Sequence, residues 1–375
     1  MNPRHNAGGL FILGFDGVRV DAEIEAVIKR WRPAGFILFR RNIESPRQVA
    51  ELCRGLRRLY PESDPPLISV DQEGGRVARL RAPFTELPSA RVLGRHVART
   101  GSLELIELAA AVTAAELTAV GINFNYAPVM DVDSNPDNPV IGDRAFGADP
   151  ETVAKIGCRQ IRAFQQRGLL ACAKHFPGHG DTNTDSHYAL PLVTRDRKAL
   201  DALELLPFRA AVEAGVAAIM TAHVLYPALD ETYPATLSPP ILTGLLRDEL
   251  GFDGLIVTDN MEMRGVWGRW PAEELVSRSV DAGCDLFIGG GGGLHGQQPQ
   301  THIQFSLMEA LAEQIARGDI PPERIDASLQ RIRTAKQRWL APCPVRSDAA
   351  LDELIGSAAH QRIAAALREE ASDDA

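Results

Sequence analysis

The sequence has few cysteines, no long apolar run and no excess of positive charge. Its five cysteines form no CxxC motif, so neither a disulfide framework nor a zinc–thiolate cluster is expected. No stretch approaches the ~18 consecutive apolar residues that a membrane helix requires. The formal net charge of -9 gives no electrostatic footprint for nucleic acid. These absences argue against a disulfide-rich or zinc–thiolate protein, a transmembrane protein and a nucleic-acid-binding protein before any motif is considered.

The first residues of the given sequence predict no targeting segment. They read MNPRHNAGGLFILGF, with an apolar run of only a few residues and no small-residue cleavage site. We therefore expect a cytoplasmic protein that binds neither nucleic acid nor a membrane. With 375 residues, 45% of them hydrophobic, the chain can bury a large core as one barrel-sized domain or two ordinary ones.

Short apolar runs alternate with longer helical patterns along the chain. The runs are residues 10–14, 35–39, 67–71, 122–129, 170–174, 217–221, 255–259 and 285–289. Each is almost continuously apolar, as expected of strands that are buried on both faces of a parallel sheet. About eight alternating units fit a closed (β/α)8 barrel of the TIM type better than an open doubly wound sheet.

Helical patterns fill the spaces between these runs. They cover residues 21–31, 102–120, 152–167, 201–214 and 240–250, and another helix is predicted over 348–370. Several are followed by a glycine directly before the next run, which is the usual stop past a helix end. We predict a barrel domain over residues 1–342 and a helical extension over 343–375 with an acidic, frayed end.

Polar residues follow almost every predicted strand. They are Asp16, Arg40, Arg41, Asn42, Asp71, Asp131, Asp133, Lys174, His175, His223 and Asp259. The active site of such a barrel lies at the carboxyl ends of its strands. Asp259, which closes LIVTD, is the strongest single candidate. It can be a nucleophile, a general base or a metal ligand, or it can simply cap the next helix.

The segment KHFPGHGDTNTDSH, which runs from Lys174 to His187, holds three histidines and two aspartates. It predicts a long loop between a strand and a helix. Loops longer than about 12 residues in a compact domain are usually functional or disordered. Asp185 and His187 are two residues apart and can form a carboxylate–imidazole pair that fixes the tautomer and stabilises the imidazolium.

Two further motifs carry groups suited to sugar hydroxyls. In DQEGGRVAR the glycine pair permits a sharp turn close to a ligand. Asp71 can accept hydrogen bonds from sugar hydroxyls, and Arg76 and Arg79 can donate hydrogen bonds to them. Glu73 is either a catalytic acid or a residue that stabilises the turn. In NPVIGDRAF, Arg144 follows the fourth strand, where it either binds substrate or forms a surface salt bridge.

The residue patterns leave three interpretations open. A retaining glycosidase would use an aspartate nucleophile and a separate proton donor. A metal-dependent barrel hydrolase would use as ligands His175, His179, His223 and Asp259. That second interpretation lacks a histidine pair after the first strand, which reads LFILGFDG. A non-catalytic sugar-binding barrel would leave the Asp–His pair without a task.

The order of the motifs resembles glycoside hydrolase family 3. DQEGGRV, NPVIGDRAFG, KHFPGHG, DTNTDSH and VTDNMEM follow one another as they do in the β-N-acetylglucosaminidases of that family. The resemblance covers roughly residues 8–340 and is greatest to the single-domain cytoplasmic NagZ type. It implies an enzyme of cell-wall recycling with no metal and no organic cofactor. One departure is Asn260, where many relatives carry a second acidic or a small residue.

The resemblance also implies roles for individual residues. Asp259 matches the nucleophile, His187 the general acid/base and Asp185 the partner that orients this histidine. The residues that match those holding the terminal sugar are Asp71, Arg79, Arg144, Lys174 and His175. The implied substrate is N-acetylglucosamine β-linked to 1,6-anhydro-N-acetylmuramic acid, with or without a peptide. We expect a monomer or a weak homodimer, and a phosphorylase with the same Asp–His pair is the alternative activity.

Overall fold

The centre of the molecule is a closed barrel of parallel strands in the order β1-β10-β9-β8-β7-β6-β3-β2. The computed structural model describes residues 2–185, 190–290, 301–340 and 346–372. The strands are Phe11–Leu13 (β1), Gly35–Leu38 (β2), Leu67–Val70 (β3), Gln72–Gly74 (β4), Val77–Ala78 (β5), Phe124–Asn125 (β6), Leu170–Phe176 (β7), Ala218–Thr221 (β8), Leu255–Asn260 (β9) and Leu286–Gly289 (β10). Strands β4 and β5 form a separate antiparallel hairpin.

Helices surround the barrel. They are Pro3–Gly8 (α1), Ala22–Trp31 (α2), Pro46–Arg58 (α3), Ala90–Thr100 (α4), Glu104–Ala119 (α5), Pro150–Gln165 (α6), Arg197–Ala202 (α7), Leu205–Glu213 (α8), Ala272–Ala282 (α9), Thr301–Arg317 (α10), Pro322–Trp339 (α11), Asp348–Leu354 (α12) and Ala358–Ser372 (α13), with a π-helix over Pro240–Glu249 and 3-10 turns over Arg40–Asn42, Gly142–Arg144 and Ala235–Leu237. At least one helix separates each barrel strand from the next, which confirms the predicted (β/α)8 fold. None of the helices described here is long and apolar enough to cross a membrane.

The register of the barrel brings all carboxyl ends of its strands to one rim. Strands β8 and β9 pair in parallel from Ala218 opposite Leu255 to Thr221 opposite Thr258. The sheet closes where β1 pairs with β10. Because every barrel strand runs in the same direction, the residues that close β3, β7 and β9 face the same end of the molecule.

The strands form because most of their side chains are apolar on both faces. All four residues of β3 are buried, and so are all seven of β7. The rings of Phe11 in β1 and Phe287 in β10 stack with centroids 5.1 Å apart. Between the barrel and the helices, Phe176 packs edge-on against Phe208 at 5.3 Å. Each such buried side chain contributes about 1.5–3 kcal/mol through the hydrophobic effect.

The predicted helices differ from the observed ones in two places. Residues 201–214 fall in two helices, α7 and α8, and not in one. The helix predicted over residues 348–370 is also two helices, because the chain turns at Gly356. This glycine has φ 61°, and a Cβ atom on it would lie 2.2 Å from the carbonyl oxygen of Pro83. Only glycine fits such a left-handed turn against a neighbouring backbone.

The carboxyl-terminal helices pack on one side of the barrel. Helix α12 contacts α3, and α13 contacts α4 and α5. Glu116 of α5 accepts hydrogen bonds from the Gly356 amide at 3.0 Å and from His360 Nδ1 at 2.8 Å. Leu351 and Leu367 are fully buried. The division of the chain at residue 342 stays a prediction.

Candidate active site

Five charged side chains form an ion-paired network at the carboxyl ends of β3 and β7; we call it the rim cluster. Lys174 Nζ lies 2.9 Å from Asp71 Oδ1 and 2.7 Å from Glu73 Oε1. Arg144 donates two hydrogen bonds of 2.9 Å to the Glu73 carboxylate. Arg79 Nη2 lies 3.2 Å from Asp71 Oδ2. Three cations therefore share two carboxylates, with Lys174 between them.

The β4–β5 hairpin brings Arg79 back to Asp71. The turn is formed by Gly74 and Gly75, which have φ 104° and 55°. A Cβ atom on Gly74 would lie 2.5 Å from the carbonyl oxygen of Pro88. Because side chains rarely adopt this backbone conformation, the glycine pair is what allows the chain to reverse so tightly.

The cations of the rim cluster keep its carboxylates ionised. Burial raises the pKa of Asp71, but Lys174 and Arg79 outweigh it and hold the pKa well below its usual value. Burial likewise raises the pKa of Glu73, and Arg144 and Lys174 bring it down to about 2. Although burial lowers the pKa of Lys174, the two carboxylates raise it above its usual value. At neutral pH the cluster thus presents fixed charges, and Glu73 has no proton to donate.

His175 is oriented by a buried carboxylate. Its Nδ1 lies 2.7 Å from Asp131 Oδ2, and its backbone amide donates to Asp131 Oδ1 at 3.1 Å. Burial raises the pKa of Asp131, but His175 above all lowers it below its usual value. Because an ionised carboxylate only accepts, Nδ1 of His175 carries the proton in this pair.

His179 is a buried residue within the loop after β7. Its Nδ1 lies 2.8 Å from Thr182 Oγ1. Burial first, and the charge of His175 next, lower its pKa to about 4. The Asn138 amide donates to the carbonyl oxygens of His179 and Gly180 at 2.8 and 2.9 Å. His179 is therefore neutral at neutral pH and belongs to the framework of the loop.

Asp259 lies at the carboxyl end of β9 and is partly exposed. Its Oδ1 accepts a hydrogen bond from the Asn260 amide at 2.7 Å. Behind it, His223 Nε2 lies 3.1 Å from the Asn260 carbonyl oxygen, and His223 Nδ1 lies 2.7 Å from Thr236 Oγ1. Since a carbonyl oxygen only accepts, Nε2 of His223 carries the proton and holds the end of this strand.

Asp71 and Asp259 act on the same buried side chains. Burial is the main cause that raises the pKa of Tyr126 well above its usual value, and both carboxylates add to the rise. The same two carboxylates add to the effect of burial on the pKa of Cys172. Asp71 and Asp259 therefore lie close enough to Tyr126 and Cys172 to influence the same two buried side chains.

The structure brings together most of the predicted site residues. Asp71, Arg79, Arg144 and Lys174 form the rim cluster with Glu73, and His175 directly follows Lys174. Asp185 lies in the loop after β7 and is partly buried. His187 lies outside the described residues, so its pairing with Asp185 stays a prediction.

The structure distinguishes residues that the sequence left equivalent or without a role. The sequence predicted Arg76 and Arg79 equally as donors to sugar hydroxyls, yet Arg76 is half exposed and pairs with Asp143 at 2.7 Å. The sequence also left Glu73 open between two roles and predicted no role for Asp131. The available indication was position alone, because both acidic residues follow shortly after a strand end.

The histidines proposed as metal ligands have other partners. Within the described ranges, no group of three or more His, Cys, Asp or Glu side chains is arranged to hold a metal ion. His175 faces Asp131, His179 faces Thr182 and His223 faces Thr236. These contacts give the metal-hydrolase interpretation no support in the described part of the chain.

Comparison with known sequences identifies the family. The model of the glycosyl hydrolase family 3 N-terminal domain matches residues 8–335. Beta-hexosaminidase A of Pseudoalteromonas piscicida is 36% identical over 361 residues, which are 92% of this chain and 60% of that protein. The beta-hexosaminidase of Thiobacillus denitrificans is 44% identical over 258 residues, 68% of this chain and 70% of that protein. The chain thus spans three fifths of the length of the first of these relatives.

Solved structures agree with this assignment. A family 3 β-N-acetylglucosaminidase from Paenibacillus sp. strain FPU-7 superposes with a TM-score of 0.88 at 39% identity, over 98% of this chain and 68% of that one. NagZ from Neisseria gonorrhoeae gives a TM-score of 0.78 at 31% identity, over 96% and 97% of the two chains. The chain therefore belongs to glycosyl hydrolase family 3, and it is a glycoside hydrolase of the β-N-acetylhexosaminidase type, as the order of its motifs predicted.

Proposed function

We propose that this protein is an exo-acting, retaining β-N-acetylglucosaminidase. The observation that carries the proposal is the rim cluster, whose Asp71 lies at the same end of the barrel as Asp259 and influences the same buried Tyr126. Sugar hydroxyls both donate and accept hydrogen bonds, so paired carboxylates and cations in fixed positions match a terminal sugar ring. His175 adds an oriented imidazole beside this array.

Asp259 is the proposed nucleophile. Its carboxylate attacks the anomeric carbon, the glycosidic bond breaks, and the leaving oxygen takes a proton from His187. In the second step His187 removes a proton from water, whose oxygen attacks the same carbon and releases Asp259. Two displacements at one carbon retain its configuration.

A histidine suits the proton transfers at neutral pH. Its unperturbed pKa is about 6.5, so it can donate and then accept a proton without a large shift. Asp185 is proposed to orient this histidine. The other groups considered as donors are unsuitable, because Glu73 is ionised and His179 is neutral and buried. This elimination favours His187.

The proposed substrate is N-acetylglucosamine β-linked to 1,6-anhydro-N-acetylmuramic acid, with or without a peptide, in peptidoglycan recycling in the cytoplasm. The likeness to NagZ and the shared motif order support it. The proposal requires no metal, no organic cofactor, no nucleic acid and no membrane. The protein would act as a monomer or a weak homodimer.

Covalent labelling tests the proposed nucleophile. Incubation with a 2-acetamido-2-deoxy-5-fluoro glycosyl fluoride, followed by peptide mapping, should place the label on Asp259. Asp259→Asn should lose nearly all activity, because an amide is a poor nucleophile. Asp253→Asn, at an exposed position before β9, is the matched control and should keep full activity. A label on Asp71 or Glu73 would show that the assignment is wrong.

Product analysis separates hydrolysis from phosphorolysis. With an aryl β-N-acetylglucosaminide, we expect free N-acetylglucosamine whether or not phosphate is present. A sugar 1-phosphate as the main product in phosphate buffer would assign the chain as a phosphorylase.

A further inference from the structure

Three charged residues join the two arms of the loop that follows β7; we call them the loop clasp. Arg195 Nη2 donates to Asp181 Oδ1 at 3.0 Å, and Arg195 Nε lies 3.1 Å from Glu204 Oε1. Asp181 is on the arm that leaves β7, and Arg195 is on the arm that enters α7. Glu204 precedes α8 directly. In the sequence, the segment between the two arms contains both Asp185 and His187.

The buried Glu204 carboxylate pairs with the guanidinium of Arg195. The Glu204 side chain is fully buried. Burial raises its pKa to about 7 although Arg195 opposes the rise, and Asp181 and Asp131 add to it. An unpaired carboxylate in such a place is costly, so the ionised form of Glu204 favours this position of the Arg195 guanidinium. The planar guanidinium can bind two carboxylates at once, so Asp181 docks on a cation that is already in place.

The first arm is fixed to the same scaffold. Gly178 has φ 136°, and a Cβ atom on it would lie 2.7 Å from Glu204 Cβ. Tyr226 donates a hydrogen bond to the Gly178 carbonyl oxygen. Asn138 donates to the carbonyl oxygen of Gly180. The chain is thus held from residue 178 to Asp181.

The second arm is fixed by backbone pairing. Val193 donates to the Leu225 carbonyl oxygen at 3.0 Å, and Leu225 donates to the Pro191 carbonyl oxygen at 2.9 Å. Arg195 follows two residues later. With both arms attached, the Asp181–Arg195 contact links them directly across the base of the segment that carries Asp185.

We propose that Arg195 is a positioning residue for the general acid/base step, acting through Asp181 on the segment that carries the Asp–His pair. The inference rests on the proposed function. Linking the ends of a loop reduces the number of conformations open to the residues between them. Because proton transfer requires the donor within hydrogen-bonding reach, a small displacement of the loop costs rate.

The exposure of the contact separates this role from a purely structural one. The side chains of Arg195 and Asp181 are 29% and 23% exposed. Partly exposed ion pairs contribute little to global stability. Loss of this contact alone, as in Asp181→Asn, should therefore change the acid-dependent reaction much more than the melting temperature, whereas Arg195→Gln also removes the cation beside the buried Glu204.

Two substrates with different leaving groups test the clasp. N,N′-diacetylchitobiose needs a proton on its leaving oxygen, whereas a 2,4-dinitrophenyl N-acetyl-β-glucosaminide does not. Arg195→Gln should lower kcat/KM for the disaccharide by about 10–100-fold. For the dinitrophenyl glycoside it should change kcat/KM by less than about threefold, because that leaving group departs without acid catalysis.

Arg197→Gln is the matched control. Arg197 lies two residues further on and pairs with Asp201 and Glu249 at the surface, outside the clasp. This variant should leave kcat/KM for both substrates unchanged. Asp181→Asn should reproduce the pattern of Arg195→Gln.

A double-mutant cycle supplies the readout that a structural role would not move. In a His187→Ala background, Arg195→Gln should cause no further loss with the disaccharide, because the proton donor is already gone. Equal losses with both substrates, additive losses in the cycle, or no effect of Arg195→Gln would overturn the clasp alone. If His187→Ala itself fails to distinguish the two substrates, the proposed acid/base assignment is wrong and the clasp proposal falls with it.

Discussion

Lys174 is a buried ammonium between two carboxylates, and its charge is tolerated only because both are ionised. Glu73 also neutralises Arg144 through a bidentate contact. At the scale of single residues the site therefore depends on the balance of its buried charges. Removing one charge leaves the others in the barrel without compensation.

Glu73→Gln tests this balance. Breaking a buried pair costs about 3–5 kcal/mol, so the free energy of unfolding should fall by that amount at pH 7 and the affinity for the sugar should fall with it. Chemical denaturation measures the change in the free energy of unfolding, and KM reports the change in affinity for the sugar. Glu62→Gln, at an exposed position, is the control and should change neither.

The same variant has a defined pH dependence. The folded protein lowers the pKa of Glu73 from 4.5 to about 2. The stability that Glu73 contributes is therefore fully present above the unfolded value and is lost as the pH falls through the folded one. The difference between wild type and Glu73→Gln should be constant from pH 8 to 5 and shrink below that. A difference that stays constant down to pH 2 would contradict the assigned ion pairs.

At the scale of elements, the β4–β5 hairpin determines which arginine reaches the site. Its two arginines are close in sequence, yet only Arg79 returns to Asp71 while Arg76 turns to Asp143. The difference arises at the glycine turn, where the backbone has a positive φ and passes close to residue 88.

Gly74→Ala should disturb this element. At φ 104° an alanine is strained, and its Cβ would lie 2.5 Å from the Pro88 carbonyl oxygen. We expect a loss of more than about 2 kcal/mol of stability and a higher KM, since Arg79 would shift. Gly101→Ala is the control, because Gly101 has φ 69° with nothing within 4 Å of the added Cβ. It should cost only about 1–2 kcal/mol and leave KM unchanged. Equal effects of the two variants on KM would contradict this account.

At the scale of the whole molecule, the barrel brings the site together from distant parts of the sequence. Lys174 and Asp71 are 103 residues apart in the chain and 2.9 Å apart in space. The carboxyl-terminal helices stand outside this arrangement, because they pack on α3, α4 and α5.

Removal of residues 343–375 tests the predicted domain division. The truncation exposes the surface that Leu351 and Leu367 cover, and burial of each contributes about 1.5–3 kcal/mol. It also removes the bond from His360 to Glu116. We expect a lower melting temperature with kcat/KM nearly unchanged. Scanning calorimetry and turnover of an aryl glycoside measure both, and an unchanged melting temperature would show that the extension does not stabilise the barrel.

Much of the fold could be predicted because parallel strands that are buried on both faces appear in the sequence as short, almost continuously apolar runs. Each of the eight predicted runs overlaps a barrel strand. The helices were less predictable. The helix over residues 348–370 breaks at Gly356, where a contact with residue 83 demands a backbone that local propensity does not reveal.

Local sequence was sufficient to predict that Asp71, Lys174 and Asp259 lie at strand ends, because the end of an apolar run marks the end of a barrel strand. Their partners depended on tertiary structure. Burial and neighbouring charge decide that Glu73 is an ionised partner of Arg144 and that His179 is neutral. Arg144 and Lys174 are far from Glu73 in sequence, and the burial of His179 depends on how the fold packs around its loop. The same holds for the pairing of Asp181 with Arg195, because a salt bridge forms only where the fold places both groups within reach.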